Sequence, residues 1–423
     1  MRRRQLKRVD CGSSVGGRRA DPGASIGLPP EHFMKTIVHC LLPLLTAACG
    51  WAHAAVAPSY AVTDLGDFYA TGVNDAGWVS GYDGRALLWQ PGNGLTDLGA
   101  FGPCGGGCSN RANAINNAGQ VVGYAWSPAL SATRAFVSAS GGALVDLGDL
   151  PQGGNYTRAE AINAFGVAAG QGSGQYVSHP TYGNQSFNHA VVFAPPGNPV
   201  DLEAHAEGTQ VNIARGINDF GVVVGDRQTS SGMRAIVWAD DGSALNLGAL
   251  WGATGTGAAT NSFARDVNNL GQVALQLPLG SGVSTAAVWH SVTGFTEIGR
   301  LGGASTASAN AINDAGVVVG SAGQRGFAWS FADGLLDLNT RLDPVAGAGW
   351  LIMDANGISE SGLIVGRAFS PTLGYRAVML SPVPEPSTAL LLAVGLAVVV
   401  LGRVGRRRGT AEIAAAAQKL SRG

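Results

Sequence analysis

The sequence predicts an all-β fold: a seven-bladed β-propeller of four-stranded antiparallel blades, with an N-terminal signal peptide and a C-terminal transmembrane helix. Three observations predict the propeller. An Asn-x-x-Gly anchor recurs at intervals of 42 to 55 residues. Each interval holds short apolar runs separated by Gly, Asn, Asp and Pro. The chain also carries one spare fourth run at its N-terminal end, where the last copy lacks one.

The anchors are Asn74, Asn116, Asn163, Asn218, Asn268 and Asn313, with Ser359 in the Asn place of a seventh copy. Seven residues further on stands a second glycine: Gly81, Gly123, Gly170, Gly225, Gly320 and Gly366, with Leu275 in the fifth copy. Four runs per copy, named a to d, read as strands because they are short, rich in Val, Ile and aromatics, and bounded by turn residues. In the second copy they are ANAIN, QVVGYAW, RAFVS and ALVDL. Asn tolerates turn backbone and glycine supplies positive φ at the a–b hairpin. One four-stranded sheet cannot bury both faces, whereas stacked copies can, and four strands on a period near 45 are the mark of a propeller blade.

Closure follows from the ends. The first Asp-Leu-Gly, at Asp64, precedes the first a run, and the last copy stops after its c run at Leu380. YAVTDLG therefore supplies the missing d strand of blade 7 and removes the free edges. The a–b and c–d spacings are fixed, but the gap from the second glycine to run c ranges from 4 residues (Gly81 to Arg85) to 19 (Gly170 to His189). In a meander the b–c and d–a loops emerge on one side, so the variable loops share a face. That pattern fits a grafted binding face, and it also fits drift in unconstrained loops.

Residues 1–33 are Arg-, Gly- and Pro-rich and read as a disordered or mis-assigned extension, with Met34 as an alternative start. Residues 34–57, MKTIVHCLLPLLTAACGWAHAAVA, have the basic start, apolar centre and Ala-x-Ala sites of a secretory signal peptide. Cys49 is a weaker lipoprotein candidate, because Thr46 stands three residues before it. The repeats occupy 58–380, residues 381–387 hold Val383, Pro384, Glu385 and Pro386, and 388–402 form an apolar segment. The 17 residues from Pro386 to Gly402 would span about 25 Å as helix, just enough for a bilayer. The basic tail 403–423, with Arg403, Arg406, Arg407 and Arg408, should stay cytoplasmic and leave the repeats outside.

This end resembles the PEP-CTERM sorting signal of Gram-negative bacteria: Pro-Glu-Pro, a short hydrophobic helix, an arginine cluster. The resemblance implies recognition by an exosortase-type enzyme, removal of the helix, and delivery to the cell surface or an exopolysaccharide matrix. The repeats are similar to HAF-type extracellular repeats, with RAF at Arg134–Phe136 and HAV at His189–Val191 in the motif's place.

Composition excludes other classes. Residues 58–386 carry 13 Arg, no Lys and 24 Asp plus Glu, hence 13 − 24 = −11, which argues against nucleic-acid binding. Of the cysteines only Cys104 and Cys108 lie outside the leader, and so close a pair in an exported protein reads most simply as a disulfide. No second Cys/His pair is spaced to complete a metal site, and no cofactor or nucleotide motif is present.

Nine arginines fall at repeat positions. Arg85, Arg134, Arg234, Arg325 and Arg376 open run c, while Arg111, Arg158, Arg215 and Arg265 precede the anchor. Recurrence points to structure, with Arg of run c pairing Asp of run d across the hairpin. The richest non-repeat stretch holds Tyr176, His179, Tyr182 and Phe187 in the longest b–c loop, candidates for stacking on a sugar ring. Glu203, His205 and Glu207 would share a face if extended, and could serve acid/base or metal chemistry. The expected role is a non-catalytic binding or structural module associated with exopolysaccharide. A propeller polysaccharide hydrolase or lyase using Glu203 and Glu207 is one alternative. A periplasmic binding domain left anchored in the inner membrane is another.

Overall fold

A computed structural model describes residues 58–383, apart from 104–108, 140–141, 152, 180–182, 195–197, 203–210, 240–242, 255–260 and 281. The segments expected to be a signal peptide (34–57) and a helix (388–402), and the expected Cys104–Cys108 disulfide, lie outside the described residues. No helix among those described is long and apolar enough to cross a membrane.

Seven four-stranded antiparallel sheets are present, as the repeat requires. Blade 1 comprises Tyr69–Val73, Val79–Tyr82, Ala86–Gln90 and Gly94–Asp97 as strands a to d. Blades 2 to 6 follow within 111–146, 157–201, 212–246, 263–299 and 307–337. Blade 7 takes Leu351–Ile358, Ile364–Ser370 and Gly374–Val383 from the C-terminal side, and its outer strand is Ser59–Gly66. The register runs from Ser59 opposite Val383 to Asp64 opposite Val378, so the two ends of the repeat region close the ring as expected.

Alternation along each b strand sends neighbouring residues into different cores. Val121 packs between blades 1 and 2, and Val122 between blades 2 and 3. Seven apolar clusters result, one at each blade junction, the last joining Val365, Ala377 and Met379 to Leu65, Phe68 and Leu87. Burying a side chain of this size is worth about 1.5–3 kcal/mol, and both sheet faces are used.

Each a strand carries a bulge. In blade 3, Ala159 faces Gly170 and Ala161 faces Ala169, so Glu160 has no partner. The same skip occurs at Thr71, Asn113, Arg215, Arg265, Asn310 and Asn356. The second glycine is explained by this geometry. A Cβ on Gly170 would strike the carbonyl oxygen of Arg158, and one on Gly123 that of Arg111. In Asp-Leu-Gly, the Asp side chain accepts the glycine N–H two residues on (Asp97 to Gly99, 2.8 Å), and the glycine takes positive φ.

Two elements differ from the sequence reading. The stretch read as the longest b–c loop is largely strand: Ala168–His179 pairs with Gly183–Phe193, with His179 opposite Gly183. Seven residues after the fourth d strand, Leu247–Ala253, form a helix, because the Asn246 side chain accepts from the Ala249 N–H at 2.8 Å and Trp251 buries against the Pro278 carbonyl.

Candidate functional site

The anchors form a belt. The Asn74 side-chain amide donates to the Asn116 carbonyl at 3.1 Å, Asn116 to Asn163, Asn163 to Asn218, Asn218 to Asn268, Asn268 to Asn313, and Asn313 to Ser359. Each amide oxygen meanwhile accepts the N–H four residues on, as Asn163 does from Val167 at 3.0 Å. The anchors are therefore buried blade-to-blade ties as well as turn residues. Outside them lies a ring of polar side chains. Asn117 bonds Asp75, Asn269 bridges Asp219 and Asp314, Glu360 accepts from the Asp314 N–H, and Asp75 accepts from the Ser361 N–H. Among the described residues no group of three or more His, Cys, Asp and Glu is arranged to hold a metal.

The belt surrounds the mouth of an axial concavity of about 360 Å³, lined by a strands of all seven blades. It opens among the a–b turns, the side of the constant hairpins. Its inner ring is made by the bulged residues, because a bulge turns a side chain out of the ladder. Thr71, Asn113, Asn310 and Asn356 each donate to a carbonyl of the next blade, at 2.8 to 3.1 Å. Blades 3 to 5 instead present Glu160, Arg215 and Arg265. Arg215 binds the buried carboxylate of Asp226, which also accepts the Ala264 N–H at 3.2 Å. Glu160 accepts from Asn113 at 3.0 Å. Burial raises Glu160 against the pull of Arg215, Arg111 and Arg158, and it also raises Asp226. Arg265 is lowered by burial and by the like charge of Arg215. Next to it, burial pushes Asp266 up to about 7 although two backbone N–H groups bond it.

The four arginines grouped before the anchor thus separate into two rows. Arg215 and Arg265 stand three residues before it, in the concavity, whereas Arg111 and Arg158 stand five before it, toward the opposite face. There, Arg111 lies 3.9 Å over the Tyr82 ring, Tyr82 is 5.2 Å from Tyr69, and Arg111 is paired in register with Tyr124. Arg158 lies 4.0 Å over Tyr124 and 4.8 Å from Tyr156. On the other side Arg367 sits 5.9 Å from Tyr69 and 5.3 Å from the exposed Tyr375, itself packed on Phe369. Arginine and tyrosine thus alternate along an arc across blades 7, 1, 2 and 3, on the side of the b–c and d–a loops. The Nε atoms of Arg111 and Arg158 are buried without a hydrogen-bond partner. Aligning the copies residue by residue would have exposed both rows, since Tyr82 and Tyr124 follow the second glycine in successive copies.

Four of the five run-c arginines pair with the aspartate of run d, whereas Arg234, whose run d carries Asn246, donates to the Ser231 and Met233 carbonyls. Arg85 pairs with Asp97, Arg134 with Asp146, Arg325 with Asp337, and Arg376 with Asp64 of the N-terminal strand at 3.0 Å. His189 replaces arginine opposite Asp201, at 2.6 Å. Tyr176 and His179 fall on strand b of blade 3, and Phe187, half-buried, on strand c. Tyr182, Glu203, His205 and Glu207 lie outside the described residues, as do Pro384, Glu385, Pro386, Arg403, Arg406, Arg407 and Arg408. Val383 ends the last strand of blade 7.

Solved structures with a similar fold include a streptogramin B lyase (9% identity, 76% of this chain and 98% of that one, TM-score 0.45). Virginiamycin B lyase from Staphylococcus aureus is another (10%, 77% and 100%, TM-score 0.47). A prolyl endopeptidase is a third (10%, 85% and 56%, TM-score 0.47). No curated protein sequence matches the chain. A family model does match at the C-terminal end: residues 382–408 are a PEP-CTERM protein-sorting motif, which implies export, sorting to the surface and processing by an exosortase.

Proposed function

We propose that the chain is an exported, non-catalytic surface or matrix module that binds exopolysaccharide through the face bearing the arginine–tyrosine arc. The arc carries this reading. The exposed Tyr375 and the partly exposed Tyr69, Tyr82 and Tyr156 offer apolar faces to sugar rings, the buried Tyr124 backs Arg158, and guanidinium groups stacked on rings are pre-organised for carboxylate or hydroxyl oxygens. Arg111, Arg158 and Arg367 concentrate positive charge in a body whose net charge is −11 over 58–386 (13 Arg against 24 acids). The likeness of the repeats to HAF-type extracellular repeats supports the same setting. So does the long b–c hairpin of blade 3, which carries Tyr176 and His179 beside this face. The alternative of a permanent inner-membrane anchor differs only in whether the helix at 388–402 is retained.

The test has two stages. Intact-mass and peptide mapping of the native protein from surface and membrane fractions should find a chain starting near Ala55 or Pro58 and ending near Pro384–Pro386. A membrane-bound chain still carrying Arg406–Gly423 would favour the anchor. The surface form should then bind the producing cell's own exopolysaccharide, and Tyr82→Ala with Arg111→Ala should weaken binding about 10-fold or more. Equal binding by that variant would remove the arc from the reading.

A further inference from the structure

The axial concavity is separate from the arc and opens on the other face. Four of its seven bulged side chains are ties between blades: Thr71, Asn113, Asn310 and Asn356 each cap a carbonyl of the following blade. Three contiguous blades give up that tie. Glu160, Arg215 and Arg265 stand where an amide or hydroxyl would hold the ring together, and all three line the concavity. In three neighbouring copies the repeat thus replaces a neutral tie with charge and gathers that charge on one side of the concavity.

The charges are unevenly satisfied. Arg215 is matched by Asp226, and Glu160 is held by Asn113. Arg265 pairs with no carboxylate among the described residues. Among the described residues its one hydrogen bond reaches Gln276 at 3.4 Å, its guanidinium lies 4.9 Å from the Phe263 ring, and its Nε is buried without a partner. A guanidinium has five N–H donors, so most of this one's capacity is unused in a partly enclosed site. Arg215 and Arg265 repel and share the field of the Asp226 carboxylate, which bonds Arg215 and leaves the donors of Arg265 to a further anion. Arginine's planar fork matches a carboxylate with two parallel hydrogen bonds. Beside Arg215, the Glu160 carboxylate, already bonded by Asn113, has further acceptor capacity for a hydroxyl group. The volume lies at the small end of ligand pockets, ~300–1,000 Å³, with room for a one-ring molecule.

We infer that the axial concavity is a second binding site, specific for a small hydroxy-carboxylate of the uronic-acid type, with Arg265 and Arg215 on the carboxylate and Glu160 on the hydroxyls. It takes a single sugar acid or chain end, where the arc takes the polymer.

Calorimetric titration of the protein purified from cells with glucuronate, and with glucose as the neutral counterpart, tests this directly. Glucuronate should bind and glucose should not. Arg265→Gln, which retains most of the side chain's length and removes its charge, should weaken glucuronate at least 10-fold. Absence of glucuronate binding, or equal binding by Arg265→Gln, overturns the inference. If that variant does not fold, arginine modification by phenylglyoxal, mapped by mass spectrometry on the unaltered protein, decides: glucuronate must slow modification of Arg265. Modification at the same rate with and without glucuronate also overturns it. Tyr82→Ala alone, which leaves every charge around Glu160 in place, should leave glucuronate binding intact, so the arc and the concavity can fail independently.

Discussion

At the residue scale the anchor asparagine has two tasks, and the seventh copy shows what happens when one is dropped. Ser359 accepts the Leu363 N–H as the asparagines do, but it is too short to donate to the Asn74 carbonyl, and its hydroxyl turns to Ser361 at 2.9 Å. The belt is open between blades 7 and 1. Ser359→Asn should close it and add about 0.5–1.5 kcal/mol, while Asn163→Ala should cost about 1–3 kcal/mol by leaving buried backbone groups unpaired. Denaturant titration of both variants measures this, and a neutral Asn163→Ala would show that the belt is geometry without energy. Asp266 makes a second prediction. Its carboxyl is raised from 3.8 to about 7 in the folded chain. Between those values the unfolded chain has lost the proton and the folded chain keeps it, so this group's contribution falls as pH rises and levels off above the folded value. The full penalty is on the order of a few kcal/mol. Relative to the parent, Asp266→Asn should melt progressively higher as pH moves from about 5 to 8. Parallel melting curves would place the proton elsewhere.

At the element scale the ring depends on one strand. Ser59–Gly66 supplies Tyr60 to the cluster between blades 6 and 7, Leu65 to that between blades 7 and 1, and Asp64 to Arg376. Deleting it exposes the edge of Gly374–Val383 and forfeits roughly 3–6 kcal/mol from those two apolar side chains alone. The shortened chain should lose cooperative melting or associate through the open edge, as size-exclusion chromatography would report. A truncated monomer melting with the parent would overturn the closure argument. The same pairing places Val383, the first residue of the Val-Pro-Glu-Pro run, opposite Ser59. The sorting motif therefore begins where the folded blade ends.

At the scale of the whole molecule, the sequence by itself determined the blade count, the strand content of each blade and the closure by YAVTDLG. Period and turn chemistry are local properties repeated seven times, and a closed ring lets every such sheet bury both faces. It also determined the PEP-CTERM end, a contiguous signal. Arginine of run c was legible as a partner for aspartate of run d because a c–d hairpin is local too. Tertiary structure alone decided what lies across blades. Arg158 meets Tyr124, Asn163 meets Asn218, and Glu160, Arg215 and Arg265 share one cavity, yet in each case the partners belong to different copies. Arg111 and Arg265 look alike when grouped as residues before the anchor. A bulge, two residues of register and the direction of the strand send one to a tyrosine on the loop face and the other to the axis. Sequence spacing fixes neighbours along a strand, but only ring closure fixes which side chains face one another across it.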